Sequence, residues 1–349
     1  DGQTVLENEL LRVVVDETGR IRSLVEKSSG RDSVPPGSRA AELQLFIDTP
    51  AKWDAWDIDR HYARLREVLT EVDELVVQSM PTEATVTVRR HHESTRISQV
   101  FSVRAGSPVL EITTSVDWHE RQRLLKLAFP IDVNAGRAAY EVQFGHVFRS
   151  THSNTSWDSA QYETPSHRWV HVGEPGFGVV IANDSTYGHD VTQRPRPGGG
   201  VTTVVRESLL RAPLFPDPES DQGEHVLRTS VRAGADVMDA VCAGYELNLP
   251  LRHLSGRGVE PLFRLDTSNV VIETVKLAED RSGDVIVRLY EAAGSRSKCV
   301  LACDFDVTEV LEADLLERTV RRLAIRTVEG SAVQLELRPF EIVTLRVKR

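Results

Sequence analysis

Leu124-Leu-Lys-Leu-Ala-Phe-Pro-Ile-Asp-Val133 is the stretch that decides the fold class. Leu125, Leu127, Phe129, Ile131 and Val133 occupy alternate positions, so an extended chain turns all five to one face and Lys126 and Asp132 to the other. The same period recurs in Leu110, Ile112, Thr114 and Val116, and again in Tyr140, Val142 and Phe144. It returns near the end in Val285, Val287 and Leu289, in Val333, Leu335 and Leu337, and in Val343, Leu345 and Val347. That is the signature of half-buried antiparallel strands, and it predicts an all-β protein. Thr18-Gly19, between two strand-like runs, reads as a hairpin turn. One stretch departs from the pattern. Leu65, Val68, Leu69, Val72, Leu75 and Val76 match helical spacing and predict a lone helix over 64–77.

A chain of 349 residues is long enough for two or three domains. All five tryptophans fall between Trp53 and Trp169, and all eleven histidines precede residue 254. The sequence beyond has neither and reads as a small β-sandwich of short strands. Pro250, Gly256, Gly258 and Pro261 mark the break, which separates a domain over 1–252 from one over 262–349. The segment Arg194-Pro-Arg-Pro-Gly-Gly-Gly200 reads as a loop interrupting strands within the first domain.

A net charge of −10 argues against a nucleic-acid partner, which needs a basic face. No run of 18 apolar residues occurs, so no spanning helix is expected and no membrane partner is implied. Cys242, Cys299 and Cys303 are too few and odd in number for a disulfide framework. An extended chain holds Cys299 and Cys303 about 13 Å apart, too far to bridge. A reducing, cytoplasmic setting fits best. The opening Asp1-Gly2-Gln3-Thr4 has no Met and no signal peptide, which suggests that something precedes residue 1.

Chemistry concentrates in four segments. Lys52-Trp53-Asp54-Ala55-Trp56-Asp57-Ile58-Asp59 places two indoles among three carboxylates. Flat aromatic faces stack on the apolar side of a pyranose while carboxylates accept from its hydroxyls. On residue chemistry alone, core tryptophans and turn-forming aspartates explain the segment as well. It lacks the Gly and terminal Glu of a calcium loop. His152-Ser-Asn-Thr-Ser-Trp157-Asp158, followed by His167-Arg168-Trp169, mixes the same groups. Asn183-Asp-Ser-Thr-Tyr187-Gly-His189-Asp190 is polar and turn-forming, and Ser208-Leu-Leu-Arg211-Ala-Pro213 leads into an acidic loop. For these, a solvated loop or a surface ion pair is the alternative. The sequence contains no H-E-x-x-H, no C-x-x-C, no phosphate-binding Walker loop and no G-x-S-x-G elbow.

Seven segments in order carry a resemblance: LQLFIDTPAKWDAWDID, VDWHERQRLLKLAFPIDV, YEVQFGHVFRSTHSNTSWDSAQYETPSHRWV, VVIANDSTYGHDV, SLLRAPLFPDPESDQGEH, VIVRLYEAAGS and LRPFEIVTLRV. Together, from about Leu6 to about Val347, they resemble the C-terminal half of family 38 α-mannosidases of the bacterial and vacuolar-type branch. The resemblance implies a large antiparallel supersandwich of the galactose mutarotase type, then a smaller β-sandwich, with 64–77 extended or irregular. It implies retaining hydrolysis of terminal α-linked mannose with a zinc-type divalent metal. In that family the nucleophile and metal ligands belong to an N-terminal α/β barrel that nothing in this sequence matches. No catalytic residue, metal ligand or cofactor is therefore expected in this chain, which would be inactive alone. Its partners would be that N-terminal catalytic domain and an α-mannoside. The resemblance turns the WDAWDID and SLLRAP loops toward the catalytic domain. It makes Trp53, Asp54, Trp56, Asp57 and Arg211 the leading contacts, followed by Tyr187, His189, His152, Trp157 and Asp158.

Two other functions fit parts of the sequence. One is a free-standing carbohydrate-binding module using the same aromatic loops; the other is an aldose epimerase, which needs a His acid and a Glu base in one cleft. A face built to dock a missing domain should also expose an apolar patch and promote self-association into a homo-oligomer.

Overall fold

The computed structural model describes residues 2–196, 199–249, 251–258, 260–327 and 331–349. Pro197 and Gly198 of the predicted loop, and Pro250 of the predicted break, lie outside them. The chain divides into two units, one of residues 1–141 and 148–250, the other of residues 142–147 and 251–349. The six residues 142–147 are a hairpin tip that a linear reading assigns to the first domain.

Both units are built on β-sheets, and the first also carries one twelve-residue helix, Val237–Asn248, packed on its nine-stranded sheet. The first carries a four-stranded, a nine-stranded and a six-stranded antiparallel sheet; the second carries a four-stranded and a five-stranded sheet. Strands of the six-stranded sheet are β1 (Glu42–Ile47), β2 (Arg66–Val68), β3 (Arg123–Ile131), β4 (Thr164–Pro165), β5 (Gly188–Pro195) and β6 (Val201–Arg211), in the order β4-β5-β6-β3-β1-β2. Leu125, Leu127 and Phe129 of β3 join Phe101, Val116 and Trp118 of the nine-stranded sheet in one continuous apolar core. The alternation that predicted this face was therefore read correctly. Its other face is covered too, for Lys126 is 0% exposed. In the second unit Val287, Leu289, Cys299, Leu301, Leu335 and Leu345 form a separate core. Its cysteines are free, and burial pushes the Cys299 and Cys303 thiols up to about 11.

The lone helix expected over 64–77 is absent: Arg60–Arg64 is a 3₁₀ turn, then β2, and Glu74–Met80 is a strand of the nine-stranded sheet. Val68 pairs with Gln44, whereas Leu75 pairs with Val88. The helical spacing arose where the chain crosses between sheets, so apolar residues belonging to two faces fell into one apparent period. The extended reading implied by the resemblance holds. Phe144 sits in a turn at φ 61° rather than in a strand. The Thr18-Gly19 turn forms as expected, with Gly19 at φ +69° and a hypothetical Cβ only 2.4 Å from Val88 Cγ1. Only glycine meets both demands.

Inward from β6, Glu207 is 1% exposed and accepts from the hydroxyls of Thr186 and Thr229, each at 2.8 Å. Neither donor is charged, so burial pushes its carboxyl up to about 7.

Candidate functional site

One end of the six-stranded sheet gathers all four chemistry-bearing segments. The WDAWDID loop follows β1, the His152–Asp158 segment precedes β4, Tyr187 and His189 flank the start of β5, and Arg211 ends β6.

The first loop is held from within. Trp56 N and Asp57 N both donate to Trp53 O at 2.8 Å, and Trp53 adopts φ 61° to close the turn. Asp54 Oδ2 accepts from Leu214 N at 2.7 Å and Phe215 N at 3.0 Å, stitching the loop to the segment after β6. Asp59 Oδ2 accepts from Ala51 N at 2.9 Å, and Asp57 Oδ1 from Ile58 N at 2.9 Å. Arg211 forks onto both oxygens of Asp48, one by a close Nε contact and one from Nη2 at 3.2 Å. It also donates to the carbonyls of Ala55, at 3.3 Å, and Asp57. Asp48 is 1% exposed; burial raises its carboxyl above the usual range, and Arg211 acts against that rise. With these polar groups turned inward, the indoles are turned outward. Trp53 is 68% and Trp56 66% exposed, and Trp56 lies 6.3 Å from the ring of exposed Phe215.

Beneath the loop lies an ionic cluster. Lys126 Nζ contacts Glu163 closely and Asp190 Oδ2 at 2.7 Å, while Arg206 binds the other Asp190 oxygen at 2.7 Å. Burial alone would lower the Lys126 pKa, but Asp190 and Glu163 more than reverse it. Burial likewise works against the Asp190 carboxylate, which Lys126 and Arg206 hold below its ordinary range. Tyr62 OH reaches Asp190 at 3.3 Å, and its ring covers Lys126 with the ammonium 5.0 Å from the centroid. Ser208 donates to Glu163.

The second segment borders a groove of about 470 Å³ lined by Arg60, His152, Asn154, Asp158, Tyr162 and Gln193, among others. Tyr162 OH donates to Ile58 O at 2.6 Å, tying this groove to the first loop. Asp158 closes a capping box with Thr155 over a one-turn helix, Ser156–Ser159. Thr155 and Ser150 hydroxyls and His152, whose Nδ1 is 3.6 Å away, keep its carboxyl below the usual range. Trp157 is 82% exposed. Tyr187 is half-exposed and stacks on His167 at 5.6 Å.

The structure thus brings Trp53, Asp54, Trp56 and Asp57 into one loop braced by Arg211 from the end of β6, and His152, Trp157 and Asp158 to an adjoining one. His189 requires correction. It is 0% exposed, because alternation along β5 turns it inward with Val191, and burial depresses its imidazole to about 4. The buried ring donates from Nδ1 to Tyr187 O at 3.1 Å and presents no surface to a ligand. Asp54 and Asp158 serve as local braces, so each has less capacity left for sugar hydroxyls. Sequence reasoning missed Asp48, Tyr62, Lys126 and Glu163. One signal was readable: Thr155-x-x-Asp158 is a capping box. Among the described residues no three His, Cys, Asp or Glu side chains converge as a metal would require.

Residues 6–219 match the family described as "Glycosyl hydrolases family 38 C-terminal domain", and residues 269–345 match "Glycosyl hydrolases family 38 C-terminal beta sandwich domain". Across 99% of its length the chain is 36% identical to Alpha-mannosidase 2C1 of Homo sapiens and 27% identical to Alpha-mannosidase of Saccharomyces cerevisiae. It spans 34% and 35% of those proteins, about a third of the length of the curated relatives it matches. An alpha-mannosidase from Enterococcus faecalis V583 shares the fold, with a TM-score of 0.76 at 16% identity over 98% of this chain and 42% of that one. Among the described residues no helix is long and apolar enough to cross a membrane.

Proposed function

The chain belongs to glycoside hydrolase family 38, whose C-terminal domains it comprises, and from that premise we propose that it completes the mannose pocket of an α-mannosidase. The nucleophile and the divalent metal would be supplied by an N-terminal catalytic portion, and this chain would be inactive alone. The observation that carries the reading is the exposure of Trp53 and Trp56 on a loop braced by Asp54, Asp59 and Arg211. Water-exposed indoles held in a fixed geometry gain their stabilisation only when something covers them. A sugar face and a protein face both suit them, and positioning rather than proton transfer would be their contribution. The open setting of these rings favours this reading over an epimerase, which needs an enclosed acid–base cleft. Three unpaired cysteines accord with a cytoplasmic setting.

The test is turnover of an activated aryl α-mannoside, with and without zinc, cobalt or calcium. The chain alone should be inactive in every condition, and active once joined to its N-terminal portion. Trp56→Ala in that joined protein should raise KM or lower kcat. Metal-dependent turnover by the chain alone would overturn the division of labour, and saturable mannoside binding by it would favour the binding-module reading.

A further inference from the structure

The six-stranded sheet's outer face continues past the Lys126 cluster into a second groove of about 910 Å³. Its floor is made of short side chains, among them Ala128, Thr202 and Val204, and its walls are arginine. Arg20, Arg39, Arg66, Arg194 and Arg196 all line it, against one carboxylate, Glu42. In a chain whose net charge is −10, a groove so cationic runs against the composition.

Three of the five guanidiniums are accounted for. Arg20 pairs with Glu42 at 2.9 Å, Arg196 with Asp132 at 2.9 Å, and Arg39 with buried Asp16. Arg66 and Arg194 have no hydrogen-bond or ion-pair partner among the described residues. Burial, then Arg206 and Arg66, disfavour the charge on Arg194, and Asp190 and Glu42 only partly offset them. Five arginines against one lining carboxylate leave the groove with a net positive potential even after three of them are paired. Guanidinium forks match the oxygens of a phosphate group in pairs, which a singly charged halide does not exploit.

We propose that this groove binds a multiply charged phosphate-type anion, with Arg66 and Arg194 as its primary ligands and Arg20, Arg39 and Arg196 as its fixed surround. The site is separate from the exposed indoles and does not depend on the function proposed for them. Inorganic phosphate and a phosphate ester share this chemistry, and the experiment separates them.

Titrate the chain calorimetrically at low ionic strength with inorganic phosphate, pyrophosphate, a hexose 6-phosphate and the neutral hexose. Saturable binding of the anions and none of the hexose is expected. The Arg66→Gln/Arg194→Gln double variant should weaken it about tenfold or more, equivalent to at least ~1.4 kcal/mol. Neither side chain has a partner to lose, so the double variant should keep its thermal midpoint or raise it. Arg296→Gln, an exposed arginine of the other unit, should change nothing. Tighter binding of the ester than of inorganic phosphate identifies an organic phosphate as the ligand; the reverse order identifies the inorganic anion. No saturable binding, undiminished binding by the double variant, or an equal loss in Arg296→Gln would each overturn the proposal.

Discussion

Replacing Arg211 by Met should loosen the loop that presents Trp53 and Trp56, and the size of the loss follows from its contacts. The guanidinium donates to both oxygens of Asp48 and to the carbonyls of Ala55 and Asp57. Asp48 is 1% exposed and Arg211 16%, so the pair is mostly shielded from water. Removing one member of a buried pair costs about 3–5 kcal/mol because the other charge is stranded. The partial exposure of Arg211 places this case near the lower end, about 3 kcal/mol. Asp48 can escape by taking a proton, which limits the loss to about 1.4 kcal/mol for each unit between its own pKa and the assay pH. The deficit should therefore shrink as the pH falls from about 7 toward 5. Urea unfolding followed by tryptophan fluorescence measures it, and since every tryptophan lies between residues 53 and 169 the signal reports the first unit alone. Asp48→Asn added to Arg211→Met should recover at least ~1 kcal/mol relative to the sum of the singles. Proteolytic cutting within 49–64 should accelerate in the single variant. A loss below about 1 kcal/mol, or strict additivity in the double variant, would refute the argument that this pair holds the loop.

Glu207 should make the fold less stable as pH rises. Its folded carboxyl sits at about 7 against an ordinary 4.5, so the folded state holds the proton more tightly. Stability is full below about 4.5, declines through 7 and is lost above, by roughly 3 kcal/mol. Glu207→Gln should flatten that slope in urea midpoints compared at about pH 5 and 8; an unchanged slope would show that other groups set it. Lys126→Met leaves Glu163 and Asp190 facing each other in the interior and should cost about 3–5 kcal/mol. Adding Glu163→Gln should return part of it, and a Lys126→Met protein as stable as the wild type in urea would mean that the cluster contributes nothing.

What the sequence made legible was local. Period-two runs such as Leu125, Leu127 and Phe129 depend on neighbours two positions away, and the core they form is where the alternation puts it. The same alternation cannot tell whether the opposite face is open or covered. Lys126 looks like a solvated residue until Tyr62, Glu163 and Asp190, contributed by distant segments, close over it. The pairing of Arg211 with Asp48 spans 163 positions, so neither residue announces the other. His189 was misread for the reverse reason. A polar, turn-rich stretch suggested a surface loop, yet β5 begins within it and turns the ring inward. At 64–77, six apolar residues, three of them in strands of two different sheets and three in the connections, imitated a helix.

The hairpin tip at 142–147 has a bearing on how such a protein can be rearranged. Phe144 meets Tyr290 edge-on at 5.4 Å, and His146 meets Phe340 at 5.1 Å. Gly145 has no room for even a methyl group beside Phe340, whose ring would lie 2.8 Å from its Cβ. The C-terminal unit is therefore discontinuous in sequence, and two of its aromatic contacts are encoded more than a hundred residues upstream of the rest. A gene cut near residue 251 and spliced elsewhere would deliver a sandwich missing those partners. The small unit is in this sense not a transferable cassette: a designer who wants it alone must first supply a substitute for the tip.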